Sequence, residues 1–245
     1  MRRIFLSDLH IEAVDSQTAV RFSEVMQTES QWADEIYILG DLVEMWIGDD
    51  DDSELAEFVR GVLKKAVAQT QLFLTHGNRD FLYGEAIAEA TGVNVFTGVQ
   101  TSADGIVLCH GDEYCIDDEA YQQMRALFRS EAWQADILSK TLAERAAFGA
   151  AIRAQSKQDN ANKASNIMDV NEDAIAAAFA DAQASIMIHG HTHRPGVHNV
   201  GGTKRIVLGA WERCGWLVRQ IDSQLDLECF SLAHHYGNET PHQAA

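Results

Sequence analysis

Ser185-Ile186-Met187-Ile188-His189-Gly190-His191-Thr192-His193 is a short apolar run that stops in a cluster of three imidazoles. A run this short and this rich in branched side chains reads as a strand buried on both faces. Histidines directly behind it are then delivered to the edge of a sheet. Four other stretches repeat the arrangement: residues 4–6 lead to Asp8-Leu9-His10, 36–39 to Gly40-Asp41, 72–74 to Gly77-Asn78-Arg79-Asp80, and 106–109 to His110-Gly111-Asp112. Strand ends in an α/β fold are held by a rigid scaffold and remain open to ligand. Five polar ends in one chain therefore predict an α/β fold with one site assembled from all of them.

Helical periodicity fills the intervals. Helices are expected over about 16–32, 53–69, 84–91 and 171–182, and a helical block over about 118–160. That block carries Leu127, Phe128, Trp133, Ile137, Leu138 and Leu142 on one apolar face. Further strands are expected at 205–208, 216–221 and 225–230, with a polar, mobile tail from Ala233.

With 245 residues, 46% hydrophobic and 23% charged, the chain can bury a large core, most simply as one domain carrying an insertion. It has no apolar stretch near the roughly 18 residues a membrane span needs, and the apolar start at Ile4-Phe5-Leu6 is too short for a secretory signal. A cytoplasmic protein beginning near Met1 is expected. Cys109, Cys115, Cys214 and Cys229 show no CxxC spacing and are read as reduced and mostly buried. A net charge of −18 argues against nucleic acid as a partner. Against that average, residues 122–163 hold seven basic and four acidic side chains, which suits an anionic ligand or membrane surface as well as a solvated helix pair.

Asp, His and Asn without thiolates form a donor set for Mn, Fe, Co or Zn and disfavour a structural zinc. Two ions roughly 3.5 to 4 Å apart need a bridging carboxylate, and Asp41 is the candidate. Singly the motifs say little, since Gly-Asp and Gly-Asn are common in turns. The acidic run at Asp49 to Asp52 reads as a solvated loop outside the metal set. Asp80 and Asp112, each close behind a ligand, suit the orientation of a neighbouring His or Arg.

The five motifs in this order resemble the calcineurin-like metallophosphoesterases. That resemblance implies two packed β-sheets flanked by helices, one metal held by Asp8, His10, Asp41 and His191, and another by Asp41, Asn78, His110 and His189. Arg79 departs from the usual Gly-Asn-His. An arginine stays charged and donates several hydrogen bonds, so it can steady a phosphate but is a poor general acid.

Longer strings, Tyr37 to Leu42, Trp46 to Asp50, His76 to Leu82, Ile167 to Asn171 and His189 to Pro195, are similar to the UDP-2,3-diacylglucosamine hydrolase family of lipid A biosynthesis. The resemblance implies hydrolysis of the pyrophosphate to UMP and 2,3-diacylglucosamine 1-phosphate by water attack on the α-phosphorus, with two Mn2+. Catalytic roles fall on Asp41, Asn78 and Arg79, and substrate contacts on Asn78, Arg79, Asp118, Ser156, Asn160, Lys163 and His189. A helical cap inserted at about 118–165 would shelter the acyl chains. A monomer attached weakly to the cytoplasmic face of an inner membrane is expected. Rival readings are a phosphoesterase of soluble nucleotides, which needs no lipophilic cap, and a metal-free scaffold, which would have broken ligand motifs.

Overall fold

The computed structural model describes residues 1–162, 167 and 169–237, without the side chains of 157 and 159–162. Eleven strands among them form two sheets. The six-stranded sheet contains β1 (Arg2–Leu6), β2 (Glu35–Leu39), β3 (Gln71–Thr75), β4 (Asn94–Phe96), β10 (Cys214–Ile221) and β11 (Gln224–Ser231), in the order β11-β10-β1-β2-β3-β4. The five-stranded sheet contains β5 (Gln100–Thr101), β6 (Ile106–Leu108), β7 (Ile186–His189), β8 (Gly196–Val200) and β9 (Thr203–Val207), in the order β5-β6-β7-β9-β8. The strands β1 to β4 run parallel, as do β6, β7 and β9.

Alternation along the strands sorts three apolar layers. Phe5, Tyr37, Leu39, Leu108, Ile188 and Ile206 meet between the sheets. Ile4, Leu6, Ile36 and Ile38 point the other way, against α1 (Gln17–Glu29) and α2 (Glu54–Val67), with α3 (Glu85–Thr91) alongside. Val107, Cys109 and Met187 cover the far side of the second sheet against α7 (Glu172–Ala182). Each fully buried Leu, Ile or Phe contributes about 1.5–3 kcal/mol, so the central strands fix their register through both faces. Arg3 joins the sheets at one end. Its buried guanidinium bonds Glu35 and Gln220 of the first sheet and Asp104 of the β5–β6 turn.

The helices start where polar side chains cap free N–H groups. Ser16, Ser53, Asp118, Ser130 and Asn171 each accept a backbone hydrogen bond at the start of α1, α2, α4 (Glu119–Phe128), α5 (Glu131–Leu138) and α7. With α6 (Leu142–Asn162), α4 and α5 stand in sequence between β6 and α7 and form a wall over the strand ends.

Two expectations change. The chain after Ala233 is anchored as far as Tyr236, which packs on Phe230 and donates to buried Glu29. Cys109 and Cys115 are buried, whereas Cys214 is half-buried and Cys229 exposed.

Candidate metal centre

The loop after β1 is zipped to the loop after β2 by backbone bonds. Asp8 N–H donates to Gly40 O, His10 N–H to Asp41 O and Ile11 N–H to Leu42 O, at 3.0–3.1 Å. Asp80, fully buried, ties in the loop after β3 by accepting from the N–H groups of Asp41, Leu42 and Gly77. Burial and then the Asp41 charge push its pKa up to about 6. Gly190 N–H donates to His110 O, and the Asp8 carboxylate takes His191 N–H at 3.0 and 3.1 Å. Two glycines permit the close approach: a Cβ at Gly77 would sit 2.1 Å from Asp41 Oδ1, and one at Gly190 2.1 Å from Asp8 Oδ2.

Strain marks the same residues. Among the described residues, seven other than glycine have positive φ, and five of them are Asp8, His10, Asp41, His191 and His193. The other two, Gln183 and Asp222, end α7 and turn the β10–β11 hairpin. Positive φ away from such turns is tolerated where function requires the placement.

Two groups of donors result. Asp8, His10 and His193 place one ligand atom each within 4.8 Å of one another, and so do Asp8, Asp41 and His110. His193 Nε2 lies 3.1 Å from His10 Nε2 and 3.4 Å from Asp8 Oδ1, and His10 Nε2 lies 3.8 Å from Asp41 Oδ2. On the other side, His110 Nε2 is 3.6 Å from Asp41 Oδ2 and 3.1 Å from Asn78 Oδ1, which is 2.8 Å from His191 Nδ1. Asp41 Oδ2 thus faces both groups, while Asp41 Oδ1 accepts from Arg79 N–H at 2.8 Å.

His189 does not join them. It is the last residue of β7, paired with Val207, and follows Met187 outward. Its Nε2 lies 3.3 Å from Arg205, which also bonds Glu172 of α7. The strand ends at His189, as the sequence predicts, and the imidazoles that face the donor groups are those of His191 and His193. His193 occupies the place expected for His191, and His191 the place expected for His189.

The electrostatics suit a divalent ion. Burial works against a charged His110, yet Asp41, Asp8 and Asp112 outweigh it and raise its pKa to about 9. The pocket therefore demands positive charge. Burial pushes the Asp8 carboxyl up, and His193, His110 and His10 more than reverse this, holding it well below the usual carboxylate range. Burial, then the His110 charge, lower His191 to about 4, which keeps its imidazole neutral and able to ligate.

His10, Asp41, Asn78, His191 and His193 floor a cavity of about 480 Å3. Its walls include Phe81, Phe128, Trp133 and Phe148, whose rings pack on one another at centroid distances of 4.5–6.2 Å. Arg79, Arg125, Arg129, Arg153 and Arg194 also line it. Asp112 anchors α4 to the centre by accepting from Tyr121 OH and Arg125 Nε, both at 2.7 Å, while Arg129 donates to Gly77 O. Arg145 of α6 grips Asp50 and Ile47 O. Asp49 accepts from the N–H groups of Gly84 and Ile87 at the start of α3, so half of the acidic run is structural rather than a solvated loop.

Asp118 and Ser156, expected on substrate, line the cavity. Lys163 and the side chain of Asn160 lie outside the described residues. Glu44, Tyr121, Arg125 and Arg153 were not singled out by sequence. Arg125 and Arg153 belong to the basic segment, Glu44 stands three residues behind Asp41, and Tyr121 carried no signal.

Residues 1–195 match the family model for calcineurin-like phosphoesterases. The chain belongs to that family. It is 39% identical to UDP-2,3-diacylglucosamine hydrolase of Bordetella pertussis, covering 92% of this chain and 93% of that one. The enzymes of the same name from Cellvibrio japonicus and Haemophilus influenzae are 40% and 41% identical, covering 88% and 85% of this chain and 93% and 90% of theirs. A solved archaeal phosphodiesterase shares the fold, with a TM-score of 0.50 at 13% identity over 94% of this chain and all of the other. Family membership implies divalent metal ions, and the oxygen and nitrogen donors fit them.

Proposed function

We propose that the protein hydrolyses the pyrophosphate bond of UDP-2,3-diacylglucosamine, by water attack on the α-phosphorus, giving UMP and 2,3-diacylglucosamine 1-phosphate in lipid A biosynthesis. One observation carries the reading: a single cavity joins the Asp, His and Asn cluster to an aromatic wall supplied by α4, α5 and α6. The relatives' names specify a substrate with both a pyrophosphate and two acyl chains, which such a cavity accommodates.

Asp8, His10, Asp41 and His193 would hold one ion, and Asp41, Asn78, His110 and His191 the other, with Asp41 shared. Two ions bound there supply charge stabilisation for the phosphate and a nucleophilic water at neutral pH. We assign them as Mn2+. Arg79 steadies the phosphate oxygens and, always charged, does not act as the acid. The helices α4 to α6 belong to a cap over about 118–165, with Asp118, Ser156 and Asn160 on the sugar and its substituents, Lys163 attracting phosphate, and the aromatic wall on the acyl chains. His189 supports the ligand loop from behind without touching substrate.

No described helix is long and apolar enough to cross a membrane. A monomer that docks weakly on the cytoplasmic face of the inner membrane, cap first, would collect its substrate from the bilayer. Parallel assays with detergent-dispersed lipid nucleotide and with soluble dinucleotides test the reading. Metal-dependent cleavage of the lipid nucleotide is expected, and cleavage of the soluble compounds alone would replace it.

A further inference from the structure

Glu44 lies between β2 and α2 and is no part of the donor set. Its N–H donates to Ile11 O at 3.1 Å, which pins it to the loop after β1. Its carboxylate is 13% exposed and meets three groups. Oε2 lies 3.2 Å from His10 Nδ1, an ion-pair contact whose alignment falls short of a hydrogen bond, while the opposite ring nitrogen, Nε2, faces Asp8, Asp41 and His193. Oε1 lies 3.8 Å from Arg79 Nε and pairs with Arg153 of α6. The buried Nε of Arg79 has no hydrogen-bond partner among the described residues. Charge attraction from Glu44 is therefore what holds that end of the guanidinium.

We propose that Glu44 is a positioning residue that couples the metal centre to the phosphate-binding arginines. Through one oxygen it orients the His10 ring: its negative charge beside Nδ1 favours the tautomer with the proton on that side, which leaves Nε2 free to ligate. Through the other it aims Arg79, from the core, and Arg153, from the cap, into one cavity. A single negative charge between two arginines also keeps them from repelling each other before an anionic substrate arrives. The first half of this role rests on geometry alone. The second rests on the reading of the cavity as a phosphate site.

Glu44→Ala and Glu44→Gln separate the halves. Binding of Mn2+ alone is measured by competition with a chromophoric chelator, and steady-state kinetics are measured at saturating Mn2+. Glu44→Ala is expected to weaken Mn2+ binding about 10- to 100-fold and to raise KM more than it lowers kcat. Glu44→Gln keeps an oxygen beside His10 but loses the charge, so its Mn2+ affinity should fall less than that of Glu44→Ala while KM remains raised. A purely structural role predicts a lower Tm with Mn2+ affinity and KM unchanged. Wild-type Mn2+ affinity in Glu44→Ala, or unchanged KM in both variants, overturns the coupling. If the alanine variant does not fold, an unchanged KM in Glu44→Gln does so by itself. KM is read with UDP-2,3-diacylglucosamine and with bis(p-nitrophenyl) phosphate. Failure of the wild type on the lipid substrate alone would thus fall on the substrate reading, and the Mn2+ measurement needs no substrate.

Discussion

Asp41 presents one oxygen to both donor groups, so its removal opens both at once. Asp41→Ala is expected to lose both ions and all metal-dependent turnover, read by elemental analysis beside activity; two full ions in the variant would remove it as the bridge. Arg79→Ala should keep its metal and slow turnover, because in the proposed mechanism the guanidinium steadies the phosphate and is no metal donor. The two histidines flanking the Gly190 turn divide the account most sharply. His193→Ala should bind Mn2+ poorly in an intact fold, whereas His189→Gln should keep wild-type Mn2+ affinity, since His189 faces Arg205. The opposite pattern would restore His189 as a ligand. The five polar strand ends were legible in the sequence because apolar runs announce them. The choice among three closely spaced histidines was not, because it turns on which way each side chain faces at the strand end, and His189 turns to Arg205.

Among the elements, the wall of α4 to α6 is joined to the core by the ionic contacts of Arg125 with Asp112 and Arg145 with Asp50 and by the packing of Phe81 on Phe128 and Trp133. The helical block was legible from its apolar spacing. Its clasps were not, since an Arg on a helix and an Asp in a loop carry no mark of each other in sequence. The Asp50 partner of Arg145 hid in an acidic run, and a Cβ at Gly48 would sit 2.4 Å from Arg145 Nη1, so that loop is shaped around the guanidinium. Arg145→Met should loosen α6, seen as faster hydrogen exchange over residues 142–152 with Mn2+ affinity unchanged; unchanged exchange there would deny it that role. Trp133→Ala and Ile137→Ala each remove apolar surface worth about 1.5–3 kcal/mol, or roughly 10- to 100-fold in affinity. Each is expected to raise KM for the lipid substrate more than it lowers kcat. Equal losses of kcat at saturating substrate would count against the cap as a binding element.

For the whole molecule, two sheets bring loops from distant parts of the chain to one end, and the buried charges there make metal binding and stability interdependent. Ions at about 100 times their Kd should add about 2.7 kcal/mol per site, seen as a Tm that rises with Mn2+ and falls with EDTA. At the other end, burial pushes Asp104 up, but Ser102, Arg3 and Gln220 together bring its pKa down to about 2, from 3.8. Because the folded value is depressed, the contact supports the fold above pH 4 and its contribution is lost as pH falls towards 2. Acid titration of Asp104→Asn should show a shallower loss of stability in that window. The most direct test of the central claim is incubation of the purified protein with Mn2+ and UDP-2,3-diacylglucosamine in detergent, with an EDTA control, following UMP and lipid monophosphate together. Release of both, abolished by EDTA, is the predicted result; no cleavage of this substrate alongside clear hydrolysis of a soluble dinucleotide would contradict it.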